Sequence, residues 1–324
     1  MRKLLVSAIV SLVLVGTPAW RAEAQTYPAR PVRVIVPGPA GGGLDVVARN
    51  VIQQLSVAGR GQFYIENLPG AGGAIGTASA ANAAADGYTL LITNQDFVIH
   101  PLIKSKVPYD PFKSFVPVTL IGMAPEVLAV TPSLPVNTIS DLIARLRANP
   151  GKYNYATPGY GTSPHLASER LFKLTYGVDI VQVPFQGAPP AIASTIAGDT
   201  HVIHITLPLI AEYIRSGKLK ALAIAAPKRA TEFPDLPTLS EAGLPGHEVS
   251  FWVGLMAPAG TQKSIVEWLQ GQIKQVMSRT EPKDPLKKLG FEIVASTPSE
   301  LEHHLRVESE RWGQVVSAAN IRVD

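Results

Sequence analysis

The segment Val32–Val36 is rich in valine and isoleucine, runs into the turn Pro37-Gly38-Pro39-Ala40-Gly41-Gly42-Gly43, and continues with helical spacing over residues 44–55. A strand of that composition is suited to burial on both faces, and a glycine turn that opens directly into a helix is how one parallel strand is joined to the next. The unit recurs. A strand over 63–66 leads into Pro69-Gly70-Ala71-Gly72-Gly73-Ala74-Ile75-Gly76, the small-residue stretch 71–83 and the strand Thr89–Thr93. From Glu126 the rhythm restarts with a strand over 128–130. A helix over 138–149 follows, opened by the Thr138-x-x-Asp141 pair, and then a strand over 153–156. Further on come a helix over 164–175, a strand over 180–183, a helix over 189–197, and strands over 202–205 and 219–225. Another strand is expected over 251–257. The rest reads as helical: 262–278, 284–289 and Pro298–Ala319, the last with Thr297 as N-cap and Glu300 closing a capping box. Alternation of this kind predicts an α/β fold of mostly parallel sheets flanked by helices.

The amino terminus constrains the compartment. Arg2 and Lys3 precede an apolar run over 4–15, and Ala22-Glu23-Ala24 reads as a cleavage site before Gln25. A helix of that length rises only ~18 Å, short of the ~30 Å hydrocarbon core of a bilayer, so residues 1–24 are expected to be a removed signal peptide. Its removal takes away Arg2, Lys3, Arg21 and Glu23, leaving 26 basic against 24 acidic residues, with no basic patch to track a nucleic acid. The chain has no cysteine. That excludes a thiolate metal site, a cysteine nucleophile and a lipid-anchored cysteine, and the mature protein is expected free in the periplasm, where nucleotide cofactors are scarce.

Three glycine-rich turns follow strands and open helices, the third being Thr157-Pro158-Gly159-Tyr160-Gly161-Thr162-Ser163-Pro164. Ligands of open α/β sheets bind at such positions, where bare amides and helix dipoles favour anions. The first turn lacks the Gly-Lys-Ser/Thr ending of a nucleotide phosphate loop. Gly70-x-Gly72-x-x-x-Gly76, with Asp96 twenty residues beyond, imitates a dinucleotide fingerprint but is one residue out of spacing. Ser163, near His165, sits one residue from a serine-hydrolase elbow. That elbow needs the N–H after the serine, and Pro164 has none, so Ser163 is read as an N-cap with Pro164 at N1. His201 and His204 fall on opposite strand faces, His303 and His304 are adjacent, and His100 and His247 stand alone. All are read as surface or capped histidines, with no metal and no cofactor expected. Trp268, Ile273, Val276 and Trp312 are read as core or cleft wall.

Six stretches carry a family resemblance: VPGPAGGGLDVVAR (36–49), ENLPGAGGAIGTASAANAAADGYTLL (66–91), NYATPGYGTSPHLASE (154–169), VPFQGAPPAIASTIAGD (183–199), GKLKALAIAAPKRATEFPDLPTLSEAGLPG (217–246) and FWVGLMAPAGT (251–261). In this order they resemble the Bug-type extracytoplasmic solute receptors of the tripartite tricarboxylate transporter family. The resemblance implies a two-lobed, type II (Venus-flytrap) periplasmic binding protein. One lobe would be 25–125 plus 251–324 and the other 126–250. It implies capture of a small organic acid, a mono- or dicarboxylate, by backbone amides and hydroxyls, with delivery by a monomer to one large and one small membrane subunit. Carried onto this chain, the ligand contacts would be Ala40, Gly41, Gly42, Gly43 and Asp45 from the first turn and Thr157, Tyr160, Gly161, Thr162 and Ser163 from the third. Thr93, Asn94, Gln186, Gly187 and Thr206 would shape the distal end. Two departures stand out: Pro158-Gly159-Tyr160 replaces the usual Ser-Gly-Asn, and His204-Ile205-Thr206 replaces Phe-Asp-Asn. Loss of that acid argues against an amine-bearing ligand, and Tyr160 with Ile205 favours an apolar or aromatic carboxylate. A periplasmic enzyme acting on a carboxylate, or a receptor presenting its ligand to a sensor kinase, stays open at this point.

Overall fold

The computed structural model describes residues 27–278, 285–288 and 290–322. The expected signal peptide, and Asp284 and Leu289 of the expected helix over 284–289, lie outside the described residues.

The strands form two sheets that share one long strand. In the first, β1 (Val32–Val36) pairs in parallel with β2 (Phe63–Asn67) and β3 (Thr89–Thr93), and β9 (Ser250–Pro258) then joins β3 to β4 (Phe115–Val130) by antiparallel pairing. In the second, β5 (Asn154–Thr157) lies parallel to β6 (Val181–Pro184) and β7 (Val202–Thr206), and the end of β4 runs antiparallel between β7 and β8 (Lys220–Ile224). The orders, β2-β1-β3-β9-β4 and β6-β5-β7-β4-β8, are therefore the same, and the strand that opposes its neighbours is in each case the one arriving from the other sheet. A two-residue strand, β10 (Glu292–Ile293), adds to β4.

Period-two alternation decides which core each strand side chain enters. Val32, Val34, Val36, Leu90 and Ile92 face α1 (Gly43–Val57) and α8 (Lys263–Met277), in a cluster that includes Val47, Leu269, Ile273 and Val276. Ile35 and Leu91 face the other way. Their cluster continues through Leu128, Val130 and Tyr155 of the second sheet and Leu166 of the helix that follows β5, and Trp312 of α10 (Pro298–Ala319) lies within it. Helix α10 touches both α3 (Asp96–Ile103) and α5 (Ser163–Glu169), so one core backs both sheets. The outer face of the second sheet is covered by α6 (Ala188–Ala197) and α7 (Leu207–Arg215) around Ile203, Ile205 and Ile210.

Both capping boxes are formed, at Thr138 before α4 (Ile139–Ala148) and at Thr297 before α10. Helix α2 (Ala74–Ala81) follows a single 3-10 turn, Ala71–Gly73, and α9 (Pro285–Lys288) is one turn long. Three expectations need correction. The strand expected over 128–130 begins at Phe115, because its prolines are accommodated: a register shift follows Pro117, and Pro125 pairs with Ser250, the first residue of β9. The helix expected over 164–175 becomes a π-helical turn at Arg170–Thr175. Its N-cap is Thr162, with Ser163 first in the helix. Helices α3 and α7 are absent from the sequence reading.

Candidate functional site

The turns that follow β1, β2, β3, β5 and β6, and the junction of β7 with α7, all open onto one cavity of about 530 Å³ between the two sheets. Its described lining includes neither lysine nor arginine. Helix amino ends supply what positive potential it has. Gly42, the N-cap of α1, carries no side chain to satisfy the first-turn amides, and Gly42, Gly43 and Leu44 all line the cavity.

The first turn is held from behind. Asp45 accepts hydrogen bonds from Gly41 N (2.9 Å), Arg49 Nε (2.8 Å) and Asn67 Nδ2 (3.0 Å), and the same Asn67 amide donates to Gly38 O (3.1 Å). Burial pushes the Asp45 carboxyl up, but these donors outweigh it and hold the group below the ordinary aspartate range. Asp45 is thus a brace for the turn and takes no part in the lining.

Across the cavity, Thr162 Oγ1 donates to Gly159 O (2.9 Å), and Thr157 Oγ1 accepts from Gln182 Nε2 (2.8 Å). His165 turns its Nδ1 to accept from Gly161 N (3.1 Å), so Ser163 has no imidazole base. Two glycines set the closeness of the two sides. A Cβ on Gly161, whose φ is +71°, would lie 2.0 Å from Ile103 Cδ1, and one on Gly187, at φ +107°, 3.1 Å from Pro39 Cγ.

Of the expected site residues, Gly42, Gly43, Thr93, Asn94, Thr162, Gln186, Gly187 and Thr206 line the cavity. Ala40 and Gly41 are exposed on the first turn, and Thr157 and Gly161 lie within the third without reaching the lining. Tyr160 is 54% exposed and packs edge-on against His165, outside the lining, whereas Ile205 lines it. Ser163 is fully buried in a chain that crosses between the sheets. Trp252 N donates to Gln95 Oε1 (3.3 Å), Gln95 Nε2 to Ser163 Oγ (3.0 Å), and Ser163 Oγ to Glu126 Oε1 (2.5 Å). Ser163 N also donates to Asp96 Oδ1 (3.3 Å).

The sequence reading missed the wall built by α3. Asp96, Phe97 and His100 line the cavity beside Gly70, Gly72 and Gly73, and Phe97 stacks on Tyr109. Burial raises Asp96 to about 7 and lowers His100 to about 3, with Lys104 adding to the latter shift. Asp96 thus brings into the cavity an acid that the argument from loss of an acid after Gly198 did not count. Spacing could have revealed the pair: Asp96 and His100 stand four residues apart, one turn on a helix face. The histidines are also less superficial than expected, with His100, His165, His204 and His247 all buried.

A model of the tripartite tricarboxylate transporter family receptor matches residues 46–321. The protein BugT of Bordetella pertussis is 36% identical over 296 residues, 91% of this chain and 90% of its own. Two solved structures superpose closely. Rpa4515 of R. palustris with adipate has a TM-score of 0.87 at 32% identity, covering 91% of this chain and 99% of its own. MatC of Rhodopseudomonas palustris with bound malate has 0.82 at 31%, covering 90% and 100%. The shared sheet order and the cleft between the sheets are those of type II-like periplasmic binding proteins. With the family model spanning all but the two ends of the chain, this protein belongs to the tripartite tricarboxylate transporter receptors, the Bug-type periplasmic solute-binding proteins.

Proposed function

We propose that the chain, exported and freed of residues 1–24, captures an organic carboxylate in the cavity between the sheets and delivers it to a tripartite tricarboxylate-type membrane transporter. The observation that carries this reading is a cavity with no cationic side chain in its described lining and an uncapped helix amino end, α1, opening into it. Such a site holds an anion through backbone amides, with Thr93, Thr162 and Thr206 as hydroxyl partners. Adipate and malate in two relatives of the same fold support the ligand class. In this reading one lobe comprises 25–125 plus 251–324 and the other 126–250. A carboxylate touching both adds differential affinity for the closed form, which is what drives closure. The Ser163 hydroxyl is fully buried outside the cavity lining and tied to Glu126, out of reach of a ligand, which favours binding over turnover.

Calorimetry on residues 25–324 with a panel of aliphatic and aromatic mono- and dicarboxylates tests the reading. At least one acid should bind one-to-one and be recovered chemically unchanged, and Thr162→Val or Thr206→Val should weaken it ~10-fold. A panel with no binder, or a ligand recovered as product, overturns it.

A further inference from the structure

The amino end of α1 accounts for one end of a ligand. The wall formed by α3 is chemically different. Asp96 and His100 stand one helical turn apart and both line the cavity. His100 is 1% exposed, and its Nε2 has no hydrogen-bond partner, although it lies 3.0 Å from the point where a Cβ on the cavity-lining Gly72 would sit. A buried ring nitrogen left without a partner beside a cavity is the signature of a group waiting for a ligand atom. Asp96 accepts from Ser163 N and, at 3.4 Å, from Asn94 Nδ2, which leaves lone-pair sites on both oxygens.

We propose that Asp96 and His100 form a hydroxyl subsite, so that the ligand is a hydroxylated monocarboxylate in preference to a plain α,ω-dicarboxylate. A hydroxyl both donates and accepts, and so can donate to an Asp96 oxygen while accepting from a neutral imidazole N–H at His100. A second carboxylate offers acceptors only and would stand against the Asp96 carboxyl in a cavity with no cationic side chain in its described lining. A methyl group at that place would leave the His100 nitrogen without a partner and the free Asp96 lone pairs unfilled, and sites built for a hydroxyl reject analogues lacking it for that reason. The apolar remainder of the wall, Phe97, Tyr109, Leu209 and Phe251, suits the carbon chain between the two polar ends.

The inference rests on the carboxylate reading, and one titration series separates the two. Pentanoate, 4-hydroxypentanoate, 5-hydroxypentanoate and glutarate are titrated into the mature wild type, Asp96→Asn and His100→Phe, with melting curves to establish that each variant is folded. In the wild type, at least one hydroxypentanoate should bind ~10- to 100-fold more tightly than pentanoate and more tightly than glutarate. In either variant that ratio should fall below about threefold. Carboxylates that bind with no preference for the hydroxyl, or a preference that survives both substitutions, overturn this inference alone. Failure of all four acids together with every other carboxylate of the wider panel overturns the parent reading and this one with it.

Discussion

At Glu126 a carboxylate stands where no water reaches, at the point where β4 passes from one sheet to the other. Its Oε1 receives the Ser163 hydroxyl, while Oε2 has no hydrogen-bond partner and faces His204 Nε2 at 3.6 Å. His204 is itself held neutral, lowered to about 3 by burial first and by His247 second, so the contact is not an ion pair near neutral pH. Burial raises Glu126 to about 7, with the Ser163 hydrogen bond opposing and Asp96 adding to the rise. The folded protein thus binds a proton here that the unfolded chain has released. The associated stability is complete below the ordinary glutamate pKa and is lost as pH rises through 7. Its size is on the order of 3 kcal/mol at the conversion of ~1.4 kcal/mol per tenfold. The neutral amide of Glu126→Gln has no such proton to lose. Thermal melts of wild type and variant should nearly coincide at pH 5 and separate by several degrees at pH 8, with the variant higher; a separation that shrinks with rising pH would contradict this account. The residue scale is also where the sequence was least legible. That Thr93, Thr162, Gly42 and Gly187 meet at one cavity follows from their place after strands, whereas Ser163 offered its hydroxyl and its turn but not the buried glutamate that consumes it. Glu126 is far from Ser163 in the chain, and no local pattern connects them.

Among the elements, the parallel units were readable because the period of their apolar residues, their glycine turns and their caps agreed. Helix α3 was not, since its sequence DFVIHPLI is apolar on nearly every side and contains Pro101, so it has no helical stripe to detect. Helix α7 follows β7 with no turn between them, Thr206 ending the strand and standing at the N-cap, so Pro208 in its first turn is the one start signal and no loop separates the two elements. The consequence was functional as well as structural, because the missed α3 carries the acidic and imidazole wall of the cavity. Helix α2 shows the opposite case, a small-residue stretch whose smallness has a measurable reason. A Cβ on Gly76 would lie 2.7 Å from Leu68 O and 2.9 Å from Pro37 Cα, so the helix is seated directly on the two turns it stands between. Gly76→Ala should cost ~1–3 kcal/mol in urea denaturation by overpacking. Gly271→Ala, in α8 where nothing lies within 4 Å, should gain ~0.5–1 kcal/mol from helix propensity. Equal effects of the two substitutions would show that α2 can shift away from the turns at no cost.

For the whole molecule, the hydrogen-bonded chain from Trp252 through Gln95 and Ser163 to Glu126 links the two sheets without help from any ligand. Removing its middle by Ser163→Ala costs on the order of 1–3 kcal/mol, because the Glu126 carboxyl loses its hydroxyl donor. Small-angle scattering of the unliganded variant should give a larger radius of gyration than wild type, and the two should converge once a bound carboxylate bridges the cleft. Indistinguishable unliganded curves would mean that this chain does not hold the sheets together. Behind it lies β4, which takes the fifth place in the first sheet and the opposed, fourth place in the second. Alternation along a strand has a parity, which β4 keeps beyond Glu126, with Val127 and Ala129 directed into one core and Leu128 and Val130 into another, whereas upstream the register shift near Ile121 lets Ile121 and Ala124 enter a single core. A single residue inserted or lost between Pro125 and Glu126 would invert every side chain downstream relative to those upstream, turning apolar faces out and Glu126 away from Ser163. The two halves of this receptor are therefore bound along this strand to a common count, and a one-residue change of length there has to be absorbed by a bulge of the kind that β4 already carries after Pro117.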